Sequence, residues 1–300
     1  DTFGGVFGVT KGLAKKYSRK RVIDTPIAEH ITLSTAVGAA ATGLRPIAEL
    51  MFNDFIGFGL DPILNQGAKM RYMFGGKAKI PLVVRTVHGA GASAAAQHSQ
   101  SLYNMFAAIP GVKVVVPSNP YDAKGLLMSA IQEDNLVVFS EDKTLLGQKG
   151  NVPEEPYTIE IGKANVTREG DDLTIVAIGK MVAVAEETAE KLAEDQVSVE
   201  VIDLRSVSPW DQETVLDSVK KTGRLIVIDE SNPQCNIAGD VASVIGDVGF
   251  DYLDGPIKKV TAPDTPVPFA ANLEAAYMPN ADKVLDIASE LIDDLKKANA

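Results

Sequence analysis

Six apolar runs separated by helical stretches restrict this 300-residue chain more than any other feature. They are KIPLVVRTV (79–87), VKVVVPS (112–118), NLVVFSE (135–141), DLTIVAIG (172–179), VSVEVIDLR (197–205) and RLIVIDES (224–231). Each is rich in Val and Ile and continuously apolar rather than alternating, as parallel strands covered on both faces must be. Between them PYDAKGLLMSAIQED (120–134), MVAVAEETAEKLAED (181–195) and DQETVLDSVKKTG (211–223) carry helical periodicity. This alternation predicts an α/β chain with open, doubly wound, mainly parallel sheets.

The alternation breaks at 145–170, LLGQKGNVPEEPYTIEIGKANVTREG, a polar stretch with two prolines, four glycines and no helical period. A chain of this length also exceeds one small core. The expected division is one domain over 1–150, a linker over 151–164 and a second domain over 165–300. The tail, NADKVLDIASELIDDLKKANA, reads as a closing amphipathic helix with lysines in its last turn.

Charge and cysteine content exclude several functions. A net charge of −11 and a pI near 4.8 argue against nucleic acid and anionic membranes as partners, since both need basic surfaces. Cys235 is the single cysteine, so disulfides within the chain and cysteine-based zinc sites are ruled out, and a reducing cytoplasm fits best. No stretch approaches the roughly 20 apolar residues that span a bilayer. The opening DTFGGVFGVTKGLAKKY begins without Met and lacks the charged-then-apolar order of a signal peptide.

In open parallel sheets a ligand sits beyond the carboxyl ends of the strands, here the loops after 23, 51, 87, 118, 179 and 206. The first lies within VIDTPIAEHITLSTAVGAAATGL (22–44), read as a short strand, a Thr-Pro turn and a helix of small and apolar residues. With Thr25 as N-cap and Pro26 first, Glu29 is the fourth helical residue, whereas a capping box needs its acid third, at Ala28. Two readings of Glu29 stand. It complements the helix dipole, or, lodged among Ile27, Ala28, Ile31 and Leu33, it holds or passes a proton near neutrality. The small residues behind it suit either a tight core helix or a contact with another subunit.

His98, in GAGASAAAQHSQSLY, follows a predicted strand and is either a structural hydrogen-bonder or an active-site group. GASAA lacks the second glycine of a nucleophile elbow. His30 and His88 either line the same cleft or lie at the surface. Met51, Phe52, Phe55 and Phe58 gather at a helix start, as core or as a wall for a flat heteroaromatic ring. Gly179 and Lys180 end a strand where an anion could bind. There is no GxGxxG, no Walker A loop and no pair of metal-spaced histidines, so nothing here holds a diphosphate and its metal unaided. A catalytic cofactor site would need its other half from elsewhere.

Taken together, RVIDTPIAE, VGAAATGLRPIAELMF, QGAKMRYMFGG, AAAQHSQSLY, PGVKVVVPSNPYDAKGLLMSAI, DLRSVSPWD and SVKKTGRLIVIDE run in order across nearly the whole chain. They resemble the β subunit of the thiamine-diphosphate-dependent 2-oxo acid dehydrogenase component, in the transketolase-like superfamily. The resemblance implies a pyrimidine-binding domain first and a transketolase C-terminal-type domain second. It implies an α2β2 heterotetramer in which an α subunit holds the diphosphate and magnesium with a Gly-Asp-Gly motif that this chain lacks. Glu29 falls on the activating glutamate, which hydrogen-bonds a pyrimidine nitrogen and helps the cofactor lose its reactive proton. Phe55 falls on the ring-stacking aromatic, Met51 lies beside the pyrimidine, and His98 falls on the active-site histidine that serves substrate or lipoyl arm.

Some relatives bind a monovalent cation, potassium, at positions matching Ala130, Glu133 and Asn135, but EDNLVV stands where many have Asn-Pro. Two further departures are the missing acidic stretch before Asp1 and NPQCNIAGDVASVIG in place of a Gly-Ala-Glu pattern. LRPIAELMFNDF, AKMRYMFGGKA and RTVHGAGASAAAQHSQSLY look most like acetoin dehydrogenase β subunits. The expected activity is therefore acetoin cleavage with transfer of the acetyl group to a lipoyl acyltransferase. Pyruvate or a branched-chain 2-oxo acid is the alternative substrate, because one methylene in a pocket is worth only about 1–3 kcal/mol. A non-catalytic scaffold subunit is the competing class.

Overall fold

A computed structural model describes residues 4–298, with side chains through 292. The chain runs α1 (Leu13–Tyr17), α2 (Glu29–Ala41), β1 (Ile47–Leu50), α3 (Ile56–Asp61), α4 (Met70–Met73), β2 (Val83–His88) and α5 (Tyr103–Ala107). Then come β3 (Lys113–Val115), α6 (Pro120–Gln132), β4 (Val137–Asp142), β5 (Asn165–Arg168), β6 (Leu173–Ala177), α7 (Met181–Glu194) and β7 (Val199–Asp203). β8 (Ser206–Ser208), α8 (Gln212–Thr222), β9 (Leu225–Asp229), α9 (Ile237–Val248), β10 (Lys258–Thr261), α10 (Ala271–Tyr277) and α11 (Ala281–Ala298) complete it.

Two five-stranded sheets result, ordered β1-β2-β4-β3-β8 and β10-β9-β6-β7-β5. All pairs are parallel except the edge pairs β3–β8 and β5–β7. Every residue of β2, β6, β7 and β9 is buried, as strands covered on both faces must be, including polar members such as Arg85, His88, Glu200 and Asp203. β8 was not legible as a strand. Three residues of Ser-Val-Ser carry no periodicity, and only pairing with β3 makes them one. Through β8 a segment from the second half of the chain completes the sheet of the first half. One apolar cluster accordingly runs from Leu33 through Val116 to Ile202 and Val227.

The stretch after β4 is strapped to α6. Lys124 Nζ donates to the carbonyls of Pro153, Glu154 and Glu155, and Tyr157 stacks on Tyr121 with ring centroids 4.6 Å apart.

Residues 22–44 depart from expectation. Val22–Asp24 form no strand; the backbone turns back at their start, where Arg21 N and Val22 N both donate to the Ser18 carbonyl. Thr25 is not the N-cap either; its Oγ1 pairs with Thr32 Oγ1 at 3.1 Å. The helix begins at Glu29 after Ala28, with no side-chain cap. α2 buries Leu33, Ala36, Val37 and Ala40, while Ser34, Thr35, Gly38 and Ala41 face outward. The outward side is thus built of small side chains that leave the helix backbone open to close approach.

Candidate functional site

The carboxyl ends of the two sheets face each other. From β2 and β4 come His88 and Asp142; just past the end of β9 comes Glu230; and beyond β6 Lys180 reaches between them. Its Nζ lies 3.3 Å from Asp142 Oδ2 and 3.0 Å from Glu230 Oε1, and donates to the Ala90 carbonyl at 2.6 Å. The anion expected beside Gly179 and Lys180 is thus supplied by the protein's own carboxylates. His88, Asp142 and Glu230 are donors of the kind metals take, but the ammonium of Lys180 already fills the place of a cation among them.

The environment tunes these groups. Burial pushes the Asp142 carboxyl up, but Lys180 and His88 outweigh it and hold it below the usual range. Burial drives His88 down to about 4, so its imidazole is neutral and shares a 2.8 Å hydrogen bond with Ser140. Tyr103 donates to Asp229, whose carboxylate also takes the Ser231 hydroxyl at 2.6 Å.

At the rim of this junction the 89–101 loop leaves β2 and carries His98. The imidazole stands edge-on to Phe52 and Phe55, with centroid separations of 4.9 and 5.3 Å. Phe52 and Phe55 themselves meet edge-on at 6.1 Å. Phe55 immediately precedes α3, which packs on α2 through Gly59; a Cβ there would stand 2.3 Å from Leu33 Cδ1. That close approach sets the aromatic group beside the helix that starts with Glu29. Phe58 does not join the cluster but points outward, 69% exposed, because it follows the turn of α3 away from the core. Met51 is half-buried and lines a small cavity with Glu49, Arg85 and Thr86.

Glu29 is half-buried rather than enclosed. Ile27 and Ile31 beside it are 79% and 59% exposed, and of the four expected apolar neighbours only Leu33 is fully buried. Among the described residues its carboxylate has no hydrogen-bond or ion-pair partner, so both oxygens are available at a helix N-terminus. His30 is exposed and His88 belongs to the buried junction. Ala130, Glu133 and Asn135 lie together at the end of α6, where Asn135 Nδ2 donates to Glu133 Oε1 at 3.1 Å. The Arg45 guanidinium donates to the carbonyls of Ile131 and Glu133 at 3.0 and 2.9 Å, placing positive charge there.

The His98 loop has supports that local sequence did not reveal. Lys143 Nζ, drawn down from the ordinary lysine range by burial against the opposing pull of Asp54, donates to the His98 carbonyl and to Ser99 Oγ. Asp54 Oδ1 accepts from Gln100 N at 3.1 Å and Gln100 Nε2 at 2.9 Å. No pattern announces such pairs, because the partners lie 44–46 residues apart.

Comparison with known proteins matches this architecture. Residues 1–149 match the family described as transketolase, pyrimidine binding domain, and residues 162–284 that described as transketolase, C-terminal domain. The chain is 57% identical to the β subunit of acetoin:2,6-dichlorophenolindophenol oxidoreductase of Bacillus subtilis (strain 168), over 97% of this chain and 85% of the relative. The subunit of the same name from Cupriavidus necator is 52% identical, over 95% and 84% of the two chains. The pyruvate dehydrogenase E1 component β subunit of Bacillus subtilis is 44% identical, over 97% and 89%. Among solved structures a split gene transketolase, described as an inactive beta4 tetramer, shares the fold with a TM-score of 0.76. It is 23% identical and the match covers 93% of this chain and 88% of that one. With both domain families matched and full-length relatives well above the level at which family is in question, the chain belongs to the transketolase-like family of thiamine-diphosphate-dependent dehydrogenase β subunits, which are oxidoreductase subunits.

Proposed function

We propose that this chain is the β subunit of a dehydrogenase component that cleaves acetoin and passes the acetyl group to a lipoyl acyltransferase. The order of similarity carries the substrate assignment: acetoin oxidoreductase subunits at 57% and 52% stand above the pyruvate dehydrogenase and 2-oxoisovalerate dehydrogenase subunits at 44% and 42%. Pyruvate is the second reading, on the strength of those same 44% relatives.

The residues fit a pyrimidine ring. Glu29 offers an unpartnered carboxylate, and Phe55 with Met51 offers apolar surface to a flat ring. Bound thiamine diphosphate would supply the carbanion-stabilising chemistry. In this reading Glu29 shares a proton with a ring nitrogen through a carboxylate oxygen. Phe55 and Met51 orient the ring and exclude water. His98, steadied by Phe52 and Phe55, presents its imidazole to the substrate or to the incoming lipoyl arm. The diphosphate and magnesium belong to an α subunit in an α2β2 assembly, with the exposed face of α2 as a contact surface. Arg45 already places positive charge on the Ile131 and Glu133 carbonyls, so a potassium ion near Ala130, Glu133 and Asn135 would share that pair with the guanidinium. No helix among the described residues is long and apolar enough to cross a membrane. The lone free thiol and this catalytic assignment support a cytoplasmic location.

A substrate panel tests the assignment. The chain, combined with its α subunit, thiamine diphosphate and magnesium, is assayed with acetoin, pyruvate and branched-chain 2-oxo acids and an artificial electron acceptor. The highest kcat/KM is expected with acetoin. Preference for pyruvate would select the second reading, and no activity with any substrate would favour a scaffold subunit.

A further inference from the structure

The loop that delivers His98 is gripped by the other domain. Glu274 lies in α10, 183 residues from Gly91, and is 3% exposed. Its Oε1 accepts from Gly91 N at 2.8 Å and its Oε2 from Ser93 N at 2.8 Å, with Ser93 Oγ at 3.4 Å. Next to it Glu230 Oε1 accepts from Ala90 N at 2.5 Å. Three backbone amides within four residues thus end on carboxylates of the C-terminal domain.

The loop's backbone explains why it needs them. Gly89, Gly91, Ser93 and Ala95 have φ of 99°, 102°, 49° and 61°, alternating with residues of negative φ. This alternation gathers amide N–H groups into a concave, anion-seeking nest. For Ser93 and Ala95 the left-handed region is uphill, and such geometry persists only where surroundings over-determine it. The carboxylate of Glu274 meets that need at Ser93, five residues before His98. Lys143 and Asp54 hold the far side of the loop from the first domain. A buried carboxylate that spends both oxygens on one loop, rather than on a counter-charge, is built to fix that loop's shape.

We propose that Glu274 is a positioning residue for His98: by clamping the amides of Gly91 and Ser93 it fixes the loop in the form that aims the imidazole across Phe52 and Phe55. This rests on the active-site reading of His98 given above. A displacement of about 1 Å in a reacting group can cost about a hundredfold in rate, so release of one clamp has a measurable effect.

The test is a double-mutant cycle in the assembled α/β holoenzyme, with Glu274→Ala, the milder Glu274→Gln, His98→Ala and the double variants. Amide hydrogen exchange of 89–101 is followed alongside. Glu274→Ala is expected to lower kcat about tenfold with little change in KM, and Glu274→Gln by less, because one acceptor oxygen remains. Exchange in 89–101 should accelerate while β6 and β9 keep their protection. In the His98→Ala background, Glu274→Ala should cost nothing further, since the residue acts through His98. An equal tenfold loss in that background would overturn the proposal, as would unchanged exchange in the loop. If His98→Ala itself leaves kcat intact, the active-site reading falls and the proposal with it. Accelerated exchange in Glu274→Ala would then mark the clamp as purely structural, which distinguishes the two failures.

Discussion

Arg205 lays its guanidinium on the carboxylate of Asp122, Nε to Oδ2 at 3.0 Å and Nη2 to Oδ1 at 2.7 Å. This joins the segment after β7 to the first turn of α6. Asp122 is 1% exposed, so the pair is a forked, buried bond between the two halves of the chain. Arg205→Ala would leave the buried carboxylate with the Asn119 amide as its remaining side-chain partner, at a cost of about 3 kcal/mol in chemical denaturation. Arg205→Lys keeps the charge but not the fork and should lose less. Equal midpoints for Arg205→Ala and the parent would show the bond to be dispensable.

Stability should respond to acid through His88. Burial lowers its pKa to about 4, whereas the unfolded chain's histidine titrates near 6.5. As pH falls from about 6.5 toward 4, the unfolded state takes up the proton that the folded state refuses, so stability is lost over that window. The loss through this group amounts to about 3 kcal/mol at most. Glu230 and Asp203 work in the opposite sense, since burial raises them to about 8 and about 7 and the folded chain keeps protons that the unfolded one releases. The comparison must therefore be with His88→Asn. Between pH 7 and 4 the parent should lose stability relative to that variant, and parallel curves would refute the assignment.

Two glycines separate packing from docking. A Cβ on Gly170 would stand 2.1 Å from the Val199 carbonyl carbon, so Gly170→Ala must displace β7 and should destabilise by about 1–3 kcal/mol. A Cβ on Gly38 meets nothing within 4 Å, and Gly38→Ala in mid-helix should stabilise the isolated chain by about 0.5–1 kcal/mol. If the small-residue face of α2 receives another subunit, the same change should weaken assembly. Thermal melts of the isolated chain and titration with the α subunit read the two effects separately.

The parallel core was legible because strands buried on both faces are dominated by Val, Ile and Leu. Predicted 172–179 and 224–231 became β6 and β9 with only their ends trimmed. Local chemistry misled at Thr25, where a sound N-cap signal lost to a hydroxyl pair with Thr32. It was silent at Ser206–Ser208, whose strand character depends on β3. In the site, His98 and Phe55 stood out in the sequence and meet directly in space, with Phe52 edge-on to both. Glu274 did not stand out, because an acid in the first turn of a short helix looks ordinary until the chain folds and brings Gly91 and Ser93 to it. The surroundings of Glu29 differ from expectation for a related reason: apolar neighbours in sequence, Ile27 and Ile31, are left uncovered in the single chain.

The central claim is that Glu29 is this chain's proton partner for a cofactor shared with an α subunit. Its most direct test is the kcat of the α/β holoenzyme carrying Glu29→Gln, at saturating thiamine diphosphate, magnesium and substrate. A fall of at least about a hundredfold is expected, with assembly unchanged. A kcat within about twofold of the parent would contradict it.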